Sequence, residues 1–290
     1  MKSIDLWGNE IVEDVLLREK YKEPPFSILD TRTGLWQGRR RAWIAKGIKS
    51  EVGRNAKTYN GHKWVEEKLG KSAPNDAGGT SIFDPVLTEL MYRWFCPDGG
   101  TILDPFAGGS VRGIVANYLG YKYTGIELRQ EQVDSNRDQA LSILPTNNQP
   151  QWYVGDSNKL LNDDWPMFDF VFSCPPYFNL EVYSNSPDDI SNMDYKNFYA
   201  CYCEIIRKAT KYLKVGGFAC YVVSEVRDNK GGYIGLVPDT INAFKFAGLQ
   251  YYNEAILLNS VGTAMLRADG NMKSRKLVRL HQNVLVFKKI

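Results

Sequence analysis

The sequence predicts a doubly wound, mostly parallel α/β sheet, and three observations predict it. Short apolar runs alternate with stretches of helical periodicity from about residue 86 to residue 246, the pattern of strand–helix–strand units. Two of the runs break into unusual corners. Thr101-Ile102-Leu103 leads into Asp104-Pro105-Phe106-Ala107-Gly108-Gly109-Ser110, and Phe168 to Ser173 leads into Cys174-Pro175-Pro176-Tyr177. Two further runs close on acids, Glu127 and Asp156. All four features end an expected strand, on the rim where ligands sit in such sheets.

Taken in order, residues 1–77 form a basic N-terminal segment and residues 78–290 the main unit, with Gly78-Gly79 as the boundary. The segment has a short amphipathic stretch, Ile11 to Lys20, and then Pro24-Pro25. From Thr31 to Lys63 nine basic residues stand against one acid, Glu51, and Trp36, Trp43, Tyr59 and Trp64 are interleaved with them. Cations mixed with aromatic rings suit a polyanion with stackable bases, so Arg39, Arg40, Arg41 and Lys46 are candidate nucleic-acid contacts. The competing reading is a solvated basic face whose tryptophans fill a small core.

In the main unit, helical spacing of Leu87, Leu90, Met91 and Trp94 predicts a helix over Val86 to Phe95. A strand at Thr101, the glycine turn and a helix from Val111 to Leu119 come after it. Small residues there let backbone approach a ligand at a helix N-terminus. Lys122 to Glu127 reads as a strand, Gln130 to Leu144 as a helix stopped by Pro145, and Gln151 to Ser157 as a strand with Asp156 at its end. After Pro175-Pro176 the polar stretch Phe178 to Met193 reads as a mobile lid. A helix over Tyr195–Leu213, a strand over Phe218–Val223 and a helix over Ile234–Phe246 come next. Two late runs, Leu249–Leu258 and Asn283–Phe287, have no expected helix between them and predict an antiparallel hairpin at one sheet edge. Their basic connection supplies two more candidate nucleic-acid contacts, Arg275 and Lys276.

Composition narrows the class. A chain of 290 residues can bury one large core, and its net charge of +3 is too small to decide a partner. No run of about eighteen apolar residues occurs, so no membrane span is expected. Met1 to Asp5 lack the apolar core of a signal peptide. Five cysteines form no C-x-x-C pair and only two histidines are present. No metal site is expected, and the thiols read as reduced, in a cytoplasmic protein.

The glycine turn and the double-proline corner together resemble the S-adenosylmethionine-dependent DNA amino-methyltransferases, above all the short phage-type methylases. In that family the first motif reads Asp-Pro-Phe-x-Gly-x-Gly, and the second reads Asp, Asn or Ser before Pro-Pro and an aromatic residue. The resemblance runs from about Gly79 to Ile290. It implies a seven-stranded Rossmann-like methyltransferase fold, with S-adenosylmethionine as cofactor and DNA as partner, and leaves RNA open. Cofactor contacts would come from Ser81, Phe83, Asp104, Pro105, Phe106, Gly108, Gly109, Ser110, Glu127 and Asp156. Glu127 would accept the ribose hydroxyls and Asp156 the adenine amino group.

Cys174, Pro175, Pro176 and Tyr177 would carry transfer to the exocyclic nitrogen of a flipped cytosine or adenine. Carbonyl acceptors hold the amino N–H groups, and the ring of Tyr177 stacks on the base. The chain departs from the family twice: Cys174 replaces the first acceptor of the tetrad, and Ser110 replaces the last glycine of the turn. The thiol raises an alternative, C5 methylation of a pyrimidine with Cys174 as nucleophile. A catalytically silent DNA-binding module is the second alternative.

Overall fold

The computed structural model describes residues 21–49, 83–162, 164–180, 183–262 and 264–290. The strands are β1 (Ile28–Asp30), β2 (Thr101–Asp104), β3 (Lys122–Glu127), β4 (Gln151–Val154), β5 (Phe168–Ser173), β6 (Leu213–Val223), β7 (Leu249–Leu258) and β8 (His281–Lys289). Between them lie α1 (Gly34–Ile44), α2 (Pro85–Phe95), α3 (Val111–Tyr118), α4 (Gln130–Ile143), the single turn α5 (Ser157–Leu160), α6 (Tyr195–Lys211), α7 (Leu236–Phe246) and α8 (Ala264–Lys273).

The strands form one sheet in the order β1-β7-β8-β6-β5-β2-β3-β4. Pairings are parallel except those of β8, which runs antiparallel to β6 and β7. The architecture is therefore an open, Rossmann-like doubly wound sheet. From β2 the chain winds outward through β3 and β4, then returns to place β5 and β6 on the other side of β2. The winding reverses between β2 and β5, where a crevice opens at the strand ends.

Period-two patterning builds a core on each face of the sheet. Phe170 and Phe172 of β5, Cys220 and Val222 of β6 and Val284 and Val286 of β8 face the core under α2 and α3. Val171, Tyr221, Leu285 and Phe287 face the opposite core with Phe198, Tyr202, Ile205 and Phe244 of α6 and α7. Helix α6 starts where Asp194 accepts the Asn197 N–H at 3.0 Å. Its buried residues Phe198, Tyr202, Ile205, Ile206 and Ala209 form a helical stripe. Each of the larger apolar side chains contributes roughly 1.5–3 kcal/mol on burial. Helix α2 starts at Pro85, with Asp84 accepting the Val86 N–H at 2.8 Å. At Gly113 of α3 a Cβ would stand 2.6 Å from the Trp152 ring, so only glycine lets this helix lie against β4.

The structure adds three details to the expected doubly wound sheet. First, the sheet has eight strands, because β1 adds to β7 in parallel and becomes the edge. Second, β7 and β8 do pair antiparallel, but β8 is inserted between β6 and β7, and α8 lies between them in sequence. Third, the described part of the N-terminal segment belongs to the main core, with Leu29, Trp36, Trp43 and Ile48 buried in it. The two tryptophans are anchors, not stacking platforms. Trp36 Nε1 donates to Asp84 at 3.0 Å and Trp43 Nε1 to Glu89 at 2.8 Å. The Ile11–Lys20 stretch, Tyr59, Trp64 and the Gly78-Gly79 boundary lie outside the described residues.

Candidate active site

A cavity of about 470 Å³ opens at the switch point. Its walls include Pro105, Phe106, Gly108 and Gly109 from the turn after β2, and Cys174, Pro175, Pro176 and Tyr177 from the corner after β5. The two corners are stitched together directly. Ser173 Oγ donates to Asp104 Oδ1 at 2.6 Å and accepts the Phe106 N–H at 3.2 Å. The glycine turn and the double-proline corner therefore share one crevice.

Asp104 itself lies beneath this crevice. It is fully buried and does not line the cavity. Its carboxylate accepts from Arg112 Nε at 2.6 Å, Tyr123 Oη at 2.7 Å and the Phe106 N–H at 3.2 Å, in addition to Ser173. Burial would lower the Arg112 pKa, but the adjacent Asp104 charge holds it raised. Arg112 in turn donates to the carbonyls of Phe106 and Ala107 at 2.6 and 2.9 Å. This ion pair ties β2, β3, β5 and α3 together and fixes the turn. In this structure the Asp104 side chain makes a structural tie. Ser110 is likewise buried off the cavity, with Oγ donating to Gln139 Oε1 at 2.7 Å.

The turn above the tie is open to a ligand. Gly108 adopts φ +53, a left-handed conformation that glycine takes without strain. Its N–H donates to Glu127 Oε2 at 3.0 Å, and the Arg129 N–H donates to Oε1 at 3.1 Å. Glu127 lines the cavity, and a carboxylate with about four acceptor positions can still take a ligand hydroxyl. Asp156 lines it too, where it caps α5 by accepting the Asn158 N–H at 2.8 Å. Beside it Ser157 Oγ donates to the Pro105 carbonyl at 2.5 Å, locking β4's loop to the turn. Phe83 also lines the cavity, held edge-on to Phe172 at 5.7 Å and under the Arg112 guanidinium at 4.6 Å. Ser81 lies outside the described residues.

At the second corner the Cys174 sulfur stands 3.5 Å from Tyr177 Oη. Tyr177 Oη accepts from Gln282 Nε2 at 3.0 Å and donates to the Val222 carbonyl at 3.4 Å, which fixes its ring. The stretch beyond it is anchored: Asp189 is buried and accepts from the N–H and hydroxyl groups of both Ser184 and Ser191. Leu180, Tyr183, Asp188, Asp189 and Ile190 of this stretch wall the cavity.

Several wall residues carried no sequence signal: Thr31 and Gln37 by α1, Asn259 and Ser260 after β7, and Gln282 on β8. They reach the site only because β1 and β8 join the sheet beside β7. Of the N-terminal cations, Arg40 lines the cavity and Arg41 is exposed. Arg39 is engaged elsewhere, in an ion pair with the buried Glu89. Lys46 lies over the Tyr118 ring at 4.2 Å and donates to its hydroxyl at 2.5 Å. Among the described residues, no helix is long and apolar enough to cross a membrane, and no cluster of histidine, cysteine and acidic residues could hold a metal.

A sheet of this topology, with a crevice at its switch point, has the Rossmann-like α/β architecture. No protein-family profile matches the sequence, and no curated protein matches it. Solved structures with a similar fold include TrmN from Thermus thermophilus, at 15% identity and TM-score 0.48 over 72% of this chain. The chain spans about half of that protein, 49% of its length. A TehB-like SAM-dependent methyltransferase from Corynebacterium glutamicum is 17% identical, with TM-score 0.44, covering 79% of this chain and 97% of that one. Magnesium protoporphyrin IX methyltransferase from Synechocystis, solved with SAM bound, is 9% identical, with TM-score 0.47, covering 80% of this chain and 92% of that one.

Proposed function

We propose that the chain transfers the methyl group of S-adenosylmethionine to the exocyclic amino nitrogen of a nucleobase, cytosine-N4 or adenine-N6, presented by DNA. The observation that carries this reading is the cavity shared by the Gly108-Gly109 turn and the Pro175-Pro176-Tyr177 corner. The donor set suits the cofactor. Glu127 ends β3 and Asp156 stands two residues beyond the adjacent β4, and they offer acceptors to ribose hydroxyls and an adenine amino group. The side-chain-free backbone at Gly108 and Gly109 leaves room for the methionine part. When bound, the sulfonium supplies an electrophilic methyl group that needs no metal.

The chain's own task is to orient an amine whose lone pair is delocalised into the ring. The Pro175 carbonyl, at a corner whose prolines carry no N–H, accepts from the amino group and aims its lone pair at the donor. Tyr177, clamped by Gln282 and Val222, presents its ring to the base. A base within a duplex cannot enter a crevice of this kind and must be extruded or already unpaired.

Incubating the protein with S-adenosylmethionine and DNA, followed by nucleoside mass spectrometry, tests the reading. Appearance of N4-methylcytosine or N6-methyladenine is the expected result. Cofactor binding with no methylated nucleoside from DNA or RNA would leave the silent binding module. 5-Methylcytosine abolished by Cys174→Ala would assign the thiol as nucleophile.

A further inference from the structure

A cationic surface beside the cavity mouth is formed by the loop after β6, residues 224–235, and the segment entering β8, residues 274–280. Tyr233 is 48% exposed, with the Arg227 guanidinium 4.1 Å and the Arg279 guanidinium 5.9 Å from its ring centre. Both arginines are aimed by neutral acceptors. Arg227 donates to the Gly231 carbonyl at 2.7 Å, and Arg279 donates to the His281 carbonyl at 3.2 Å and to Asn283. The two segments interlock where the Lys276 side chain lies against Gly231, whose Cβ would fall 2.4 Å from Nζ.

None of Arg227, Lys230, Arg275, Lys276 and Arg279 makes a salt bridge among the described residues. The acids of the first loop face backbone donors instead. Glu225 accepts the first N–H groups of α7, and Asp228 accepts those of Lys230 and Gly232. Arg275 holds φ +54 just past the end of α8, a position where glycine is the strain-free choice. A long cation stands there at a backbone cost.

The surface and the cavity share a rim. Val223 at the end of β6 pairs with Asn283, and Leu258 at the end of β7 pairs with His281. Gln282 between them lines the cavity and holds Tyr177. Arg279 is three residues away, at most about 10 Å along an extended chain.

We propose that the Arg227–Tyr233–Arg279 cluster, with Lys230, Arg275 and Lys276, binds the phosphate backbone of the nucleic-acid strand that delivers its base to the cavity. The inference rests on the reading of the cavity as a base site and names the surface that serves it. Guanidinium forks match phosphate oxygens, and the half-exposed Tyr233 ring beside them offers its open π surface to a neighbouring base. The N-terminal segment fits this role less well, since Arg39 is ion-paired with buried Glu89 and Trp36 and Trp43 are buried.

The test measures binding of a fluorescent single strand and a duplex over a salt series, for wild type, Arg227→Gln/Arg279→Gln, Lys230→Gln/Lys276→Gln and Tyr233→Ala. Calorimetry with S-adenosylmethionine and thermal melting run alongside. Each double variant should flatten the log–log salt slope by up to roughly 1.4–1.8, the share of two phosphate contacts. Tyr233→Ala should weaken single-strand binding by roughly five- to a hundredfold. Cofactor affinity should not change. Wild-type DNA binding that survives in both double variants, with slope and affinity intact, would overturn the inference and leave the proposed function standing. No DNA binding by wild type, with capture instead by phosphatidylserine vesicles, would overturn both.

Discussion

The buried pair of Asp104 and Arg112 gives the sharpest energetic test of how the site is held. The two side chains are 0% and 6% exposed and 2.6 Å apart. Removing one partner of such a pair strands a charge and costs about 3–5 kcal/mol. Asp104→Ala also strips an acceptor from Ser173, Tyr123 and the Phe106 N–H. Its cost should therefore sit at the top of that range, about 5 kcal/mol. Arg112→Met keeps the aliphatic volume and leaves Asp104 with three donors, so its cost should lie near the bottom, about 3 kcal/mol. The double variant leaves no isolated charge, and it should cost no more than about 6 kcal/mol where independent effects would give roughly 8. Urea unfolding at constant m-value reads these differences. For a domain of this size, melting should also fall by roughly 10 °C or more in Asp104→Ala. Additivity of the single variants to within about 0.5 kcal/mol would refute the tie.

Glu89 predicts an acid limb. Burial alone would raise its pKa, but Arg39, Trp43 and Arg93 donate to it and hold it below its ordinary 4.5. A lowered native pKa means stability fully present above about 4.5 and lost as pH falls toward the native value. The slope is at most about 1.4 kcal/mol per pH unit. Denaturant midpoints between about pH 3 and 6 should show a shallower limb in Glu89→Gln, and an identical limb would exclude this carboxylate. Glu127→Ala should weaken S-adenosylmethionine binding about ten- to a hundredfold by calorimetry, the loss of one or two bonds to a charged acceptor. Unchanged affinity would remove the ribose assignment. Pro176→Ala and Tyr177→Ala should abolish methyl transfer while cofactor binding persists, and near-normal turnover in either would relocate the chemistry.

How much of this was legible in the chain depends on how local each cause is. The four rim features could be read because strand ends are written in neighbouring residues: prolines that cannot continue a ladder, glycines that permit a left-handed turn, and acids that cap the next turn. Non-local pairing hid the rest. Strand β1 is only three residues long and exists because β7 offers an edge more than two hundred residues later. Helix α8 buries only Ala264 and interrupts its pattern with Asp269, Gly270 and Asn271, so it carries no amphipathic stripe. Trp36 and Trp43 sit among cations in sequence, yet their seven-residue spacing puts both on the buried face of α1.

Asp104 shows the same limit inside the turn after β2. Its position at the end of β2 is local information, but its role depends on Arg112 on the next helix and Ser173 on a strand sixty-nine residues away. A motif therefore locates a corner, while tertiary partners decide which of its side chains face the ligand. Here the outcome is a division of labour between adjacent positions. The acid locks the turn from below, and Gly108, with its N–H held by Glu127, is the residue that the lock presents to the cavity. Both families of substitutions probe that division from opposite sides: the Asp104–Arg112 cycle reads the lock as stability, and Glu127→Ala reads the presented surface as affinity.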